Sequence, residues 1–243
     1  MAKLLHAQDK LLNKVKRRLR HFADRDRALF VEGYFKTGPG QYGHGDQFLG
    51  LNVPDLRKVA REFRSLSLAD VRALLKSRWH EERLLALLIL VDQYARADAR
   101  QQNAIYRLYM ASTQSINNWD LVDLSAPRIV GPHLECRSRT PLYRLSKSKN
   151  IWRRRIAIMA TFHFIQLGEF DDTFALAEAL LDDPHDLIHK AAGWMLREIG
   201  KRDQNAEEAF LKKFAAKMPR TMLRYAIERF PEPLRRKYLT MKP

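Results

Sequence analysis

Apolar residues recur three and four positions apart along most of the chain, in stretches separated by short polar or proline-containing breaks. That period puts the apolar side chains on one face of an α-helix. His80–Tyr94 reads as a long and mostly buried helix, because its centre, Leu84 to Val91, is apolar all round. The same period predicts helices over Ile151–Gln166 and His185–Lys201. Ser67-Leu-Ala-Asp70 ahead of Val71 is a capping signal, and Asn117 and Asn118 precede Trp119 as N-cap candidates. Pro184, Pro219 and Pro233 stand where helices begin or are interrupted. No stretch alternates apolar and polar positions over strand length, so no sheet is expected.

The helices recur. First helices of successive pairs start near His80, Asn117, Asn150, His185 and Thr221, at spacings of 37, 33, 35 and 36 residues by subtraction. Each unit holds two helical stretches and a turn, the mark of an all-α solenoid whose units share a continuous core. The whole of 1–243 is expected to be one repeat domain, with N-terminal helices over 1–36, a glycine-rich loop over 37–47 and repeats over 48–243. The loop carries Gly38, Pro39, Gly40, Gly43 and Gly45. It lacks the Lys-Ser/Thr ending of a phosphate-cradling loop, and so reads either as a linker or as a loop that touches nucleic acid.

Charge narrows the partner. Lys and Arg total 44 against 28 Asp and Glu, a formal net charge of +16. Solubility alone needs a net charge of about 2–8 for a small domain, so an excess of this size points to a polyanion, and nucleic acid is the commonest. The lone Cys136 excludes an internal disulfide framework and a thiolate zinc cluster. The first residues carry no long apolar run of a signal peptide, and no apolar run reaches the ~20 residues of a membrane span, so the expected location is cytoplasmic.

Three clusters hold the side chains with candidate chemistry. Trp119 and Asp123 lie four apart, one helical turn, which places indole and carboxylate on one face, while Asp120 lies on another face near the helix start. On spacing alone, a core tryptophan and a salt-bridged aspartate is the commoner outcome. Trp152-Arg-Arg-Arg155 opens the next repeat, and its arginines either contact phosphate or bridge to neighbouring helices. Lys190-Ala-Ala-Gly-Trp194-Met-Leu-Arg197-Glu198 lies in the one after, where Gly193 admits close approach of a helix or a ligand. His185 and His189 are four apart but lack a third ligand, so no metal is expected.

Taken together, Gly-Asp-Gln-Phe-Leu-Gly-Leu-Asn-Val-Pro54 with Arg57, Asn-Trp-Asp-Leu-Val-Asp123, Trp152-x-x-Arg155-x-Ala-Ile158 and Lys190-Ala-x-Gly-Trp194-x-Leu-Arg-Glu198 resemble the AlkD-type DNA alkylation repair glycosylases, from Tyr34 to about Arg229. The resemblance implies a curved α-α superhelical solenoid of HEAT-like repeats. It implies a monofunctional alkylpurine DNA glycosylase that hydrolyses the N-glycosidic bond of cationic 3-methyladenine or 7-methylguanine in duplex DNA, without cofactor or metal. Asp123 is then the catalytic carboxylate, Trp119 and Trp194 are the indoles that face the lesion nucleotide, and Arg155 holds the DNA backbone. Tyr34 is the N-terminal active-site tyrosine, and Lys190, Arg197, Arg154 and Arg224 are further DNA-binding candidates. The family works from the backbone side without a tight base pocket. The expected partner is double-stranded DNA with alkylated bases, bound by a monomer with no obligate protein partner. The alternative is a catalytically silent relative that binds unusual DNA structures.

Overall fold

A computed structural model describes residues 2–241, with side chains from Leu11 onward. Its elements, in order, are α1 (Ala2–His21), α2 (Arg25–Tyr34), α3 (Val53–Glu62), α4 (Leu68–Leu75), α5 (His80–Arg96), α6 (Ala99–Ala111), α7 (Trp119–Leu134), α8 (Thr140–Ser146), α9 (Ile151–Ala160), α10 (Phe162–Gln166), α11 (Asp171–Ala179), α12 (Asp186–Gly200), α13 (Gln204–Phe214), α14 (Arg220–Ala226), a 3-10 turn (Ile227–Arg229) and α15 (Glu232–Leu239). Among the described residues the one β-type pairing is an isolated bridge between Gln47 and Trp79. The fold is an all-α helical-repeat solenoid, and helices α5, α7, α9, α12 and α14 begin within two residues of the repeat starts read from periodicity.

The chain forms two compact units, 1–125 and 126–243, with the boundary inside α7. In the first, α5 is the central helix, packed by α3 and α4. Leu85, Ala86, Leu87, Ile89 and Leu90 are wholly buried, as a helix apolar all round requires. In the second, α12 takes that place, packed by α9, α13 and α14.

Local chemistry sets the helix ends. Ser67 caps α4 by accepting from Asp70 N–H at 3.2 Å, and its hydroxyl donates to the Asp70 carboxylate at 2.6 Å. Asn150 caps α9 through the N–H groups of Trp152 and Arg153. His185 caps α12, its Nδ1 accepting from Leu187 N–H. The helix expected over Ile151–Gln166 is divided at Thr161. The buried Thr161 hydroxyl donates to Ile158 O at 2.7 Å, a back-bond that competes with the helical ladder and bends it. In contrast, α7 continues through Pro127 and Pro132, residues that more often end or kink a helix.

One buried acid stands out in the second unit. Glu207 on α13 is 1% exposed, and among the described residues its Oε1 has no hydrogen-bond partner. Burial pushes its carboxyl up to about 8, Glu208 adds to the rise and Arg197 opposes it. The folded chain therefore keeps this proton where the unfolded chain releases it, and stability drains away as pH rises from about 4.5 to about 8. Glu207→Gln keeps the shape and removes the titration. It is expected to raise Tm by about 2–4 °C at pH 8, with a smaller gain at pH 5, in thermal unfolding.

Candidate functional site

The glycine-rich loop serves a purpose that neither sequence reading named. It delivers Asp46 into the interior of the first unit. Gly43 has to be glycine, because a Cβ there would stand 2.4 Å from Phe35 O. Asp46 is 8% exposed and accepts from four side chains. Its Oδ1 takes Arg83 Nη2 at 2.7 Å and Asn117 Nδ2 at 3.2 Å. Its Oδ2 takes His80 Nδ1 at 3.2 Å and Asn118 Nδ2 at 3.5 Å. Burial opposes the Asp46 charge, yet His80, Arg83 and Asn117 outweigh it and hold the carboxyl below its usual range.

His80 carries the network to α7. Its Nε2 reaches Asp120 Oδ2 at 2.7 Å, so both ring nitrogens face carboxylates. Burial disfavours the imidazolium, but Asp120 and Asp46 prevail and raise its pKa to about 9. Both Asn117 and Asn118, expected as simple caps, are thus tied to Asp46, and Asn118 also accepts from Trp119 N–H at 2.8 Å. The start of α7, and with it Trp119, is fixed by a buried charge network. Because the folded pKa of His80 lies above 6.5, its contribution is complete below pH 6.5 and is lost as pH rises through about 9. Thermal unfolding should show Tm falling by at least about 2–4 °C from pH 7 to pH 10, with a smaller fall in Asp120→Asn, which lacks the charged partner.

Aromatic rings surround this network. Trp119 is half-buried and stacks on Phe35 at 5.2 Å between centroids, with Tyr34 edge-on at 6.0 Å. Phe35 stacks on Phe48, and Phe48 on His80 at 4.7 Å. Tyr34, at the end of α2, is 59% exposed. The structure therefore brings Tyr34 and Trp119 together. Asp123 follows one turn along α7, half-buried. Nearby, Tyr109 is wholly buried against Ser125 Oγ at 3.0 Å, and burial, with Asp123's charge adding to it, pushes its hydroxyl upward.

In the second unit the candidates lie on α9, α12 and α14. Arg155 is 5% exposed, and its Nη1 donates to Leu187 O in the first turn of α12. It ties α9 to the helix that carries Lys190, Trp194 and Arg197. Trp194 is half-buried, and its indole N–H donates to Glu198 Oε1 at 3.0 Å, which sets the ring's orientation. Burial opposes the charge of Glu198, but Lys201 and Trp194 hold its carboxyl below the usual range. Gly193 resolves in favour of a helix: a Cβ there would stand 2.3 Å from Met222 O, so glycine lets α14 approach. Arg154 takes the salt-bridging alternative, with Asp183 at 2.5 and 3.1 Å and the carbonyls of Ser148 and Lys149. Arg197 is paired with Glu228 and Lys190 with Asp186, the latter at 2.8 Å. Arg224 is exposed on α14.

Asp46 and Glu198 had no assigned role in the sequence reading, although each lies in a quoted motif; Asp120 was read only as support for the helix N-terminus, and His80 only as the start of a helix and a repeat. One signal was available. A helix as apolar as α5 must be buried, so the polar run His80-Glu81-Glu82-Arg83 at its start had to find buried partners.

Comparison with known proteins bears on most of the chain. The family described as DNA alkylation repair enzyme matches residues 15–230. A solved structure named "Predicted DNA alkylation repair enzyme from Enterococcus faecalis" superposes with a TM-score of 0.67 at 17% identity, covering 86% of this chain and 97% of that one. No curated protein matches. Among the described residues no helix is long and apolar enough to cross a membrane.

Proposed function

Since the chain belongs to the DNA alkylation repair enzyme family, we propose that it is a monofunctional DNA glycosylase that releases cationic alkylated purines, of the 3-methyladenine and 7-methylguanine type, from duplex DNA. One observation carries the reading. A half-buried indole is held rigidly on Phe35 beside exposed Tyr34, with the Asp123 carboxylate one helical turn along on the same helix.

The mechanism follows from charge. Alkylation at N3 or N7 makes the purine cationic and weakens its N-glycosidic bond. As that bond breaks, positive charge develops on the deoxyribose, as in other oxocarbenium-like cleavages. Asp123 stabilises this charge and orients the attacking water. The faces of Trp119 and Trp194 attract the cationic nucleotide, worth about 0.5–2 kcal/mol each. The buried network of Asp46, His80 and Asp120 keeps Trp119 in place, so little reorganisation is needed during reaction. Arg224, exposed on α14, supplies a backbone contact in this scheme. Arg155 is buried against Leu187 O and would have to turn from it to reach a phosphate. For Arg154, Lys190 and Arg197, phosphate oxygens would have to replace Asp183, Asp186 and Glu228.

The alternative, a silent protein that binds unusual DNA structures, would not need Asp123 together with both indoles. A duplex with a single 7-methylguanine separates the two readings. The glycosylase reading expects an abasic site at that position, formed faster than by spontaneous loss. Tight binding with no strand cleavage after alkali treatment would favour the silent protein.

A further inference from the structure

The first unit contains a cavity of about 250 Å³ beside the aromatic cluster. Its walls include Phe35, Phe48, His80 and Asp120, and its lining also includes Phe30 and Tyr34. Phe30 is 74% exposed, Tyr34 59% and Val53, another lining residue, 44%. Large apolar side chains gathered in the open mark an interaction site, and beside a cavity that site is a ligand-binding groove. Drug-sized ligands occupy about 300–1,000 Å³, so this space suits one smaller planar ring system.

The polar groups in the wall define what that ring must carry. Both nitrogens of His80 are taken by Asp46 and Asp120. The carboxylate of Glu81 is taken by the N–H groups of Leu49, Gly50 and Leu51. Among the described residues Asp120 accepts once at each oxygen, from His80 Nε2 and from Leu121 N–H. A carboxylate oxygen has two acceptor positions, so Asp120 retains capacity at both. Arg27 lines the cavity as well, so its charge is mixed. Asp120 can only accept, so at its end the cavity favours a ligand with N–H donors.

We propose that this cavity binds the released alkylated purine base, ring against the aromatic wall and an amino or ring N–H on Asp120. This rests on the glycosylase reading for the identity of the base. It also departs from the backbone-side scheme that the family resemblance implies, by giving the product a seat in the first unit. Retention of the base there would make the protein subject to inhibition by free base.

Calorimetric titration of the whole chain with 3-methyladenine, and separately with deoxyribose 5-phosphate, tests the proposal. Saturable binding of the base and none of the sugar phosphate is expected. Asp120→Asn should weaken base binding about tenfold, by loss of a charge-assisted hydrogen bond. Because Asp120 also holds His80, Val53→Phe serves as the second variant. It narrows the mouth from an exposed position, and should weaken binding while the excision rate stays unchanged. Absence of saturable base binding, or binding equal in the wild type and both variants, overturns the proposal. Excision without base binding removes the cavity's role and leaves the glycosylase reading. Base binding without excision supports the cavity and removes that reading.

Discussion

Asp123→Asn is expected to lower single-turnover excision by about a hundred- to a thousandfold while duplex affinity stays close to that of the wild type. The substitution keeps the size and planarity of the side chain, so the packing of α7 should survive. What it removes is a negative charge, and that charge matters where positive charge develops on the sugar. Binding gains nothing from a carboxylate near phosphates, so its loss does not weaken the complex. The comparison needs single-turnover conditions, because slow product release would mask a change in the chemical step. An unchanged rate would take Asp123 out of the reaction. A parallel loss of binding would make it a structural residue of the helix.

The second large effect is on binding itself. If the basic side chains neutralise some 6–10 phosphates, affinity should fall by about 10³–10⁵ between roughly 50 and 200 mM salt. The formal charge of +16 is ample for that number of contacts. Several of the basic candidates are held by acidic neighbours, however: Arg154 by Asp183, Lys190 by Asp186 and Arg197 by Glu228. Those pairs offset charge locally, so a slope at the lower end is consistent with the structure. Equilibrium binding to a duplex by anisotropy, over that salt range, gives the slope directly. A flat response would point to a protein partner in place of DNA.

The repeat frame was legible because it rests on one simple physical rule. A helix that buries a face must repeat its apolar residues at helical spacing, and stacked repeats must space those helices evenly. The starts near His80, Asn150 and His185 therefore fall at or within one residue of the observed helices. The break at Thr161 was not legible, since it depends on a hydroxyl turning back to Ile158 O inside an otherwise continuous apolar pattern.

The candidate site was legible in part. Trp119 and Asp123 share a helix, so their spacing was informative. Tyr34 meets Trp119 across 85 positions by subtraction, and only the family resemblance connected them in the sequence. The hub at Asp46 was hidden for a different reason. Its partners His80, Arg83, Asn117 and Asn118 come from two further segments, and no local period links them. The loop that carries it was conspicuous for its glycines, but the aspartate, rather than the glycines, is what the fold uses. Gly193 had two readings, and the approach of Met222 O decides for helix packing.

Excision is tested most directly by chromatographic quantification of free bases released from methylated duplex DNA. With the wild-type chain, 3-methyladenine and 7-methylguanine are expected in the soluble fraction well above the spontaneous level, and with Asp123→Asn near that level. Release at the spontaneous rate by a folded, DNA-binding wild-type chain would contradict the glycosylase reading.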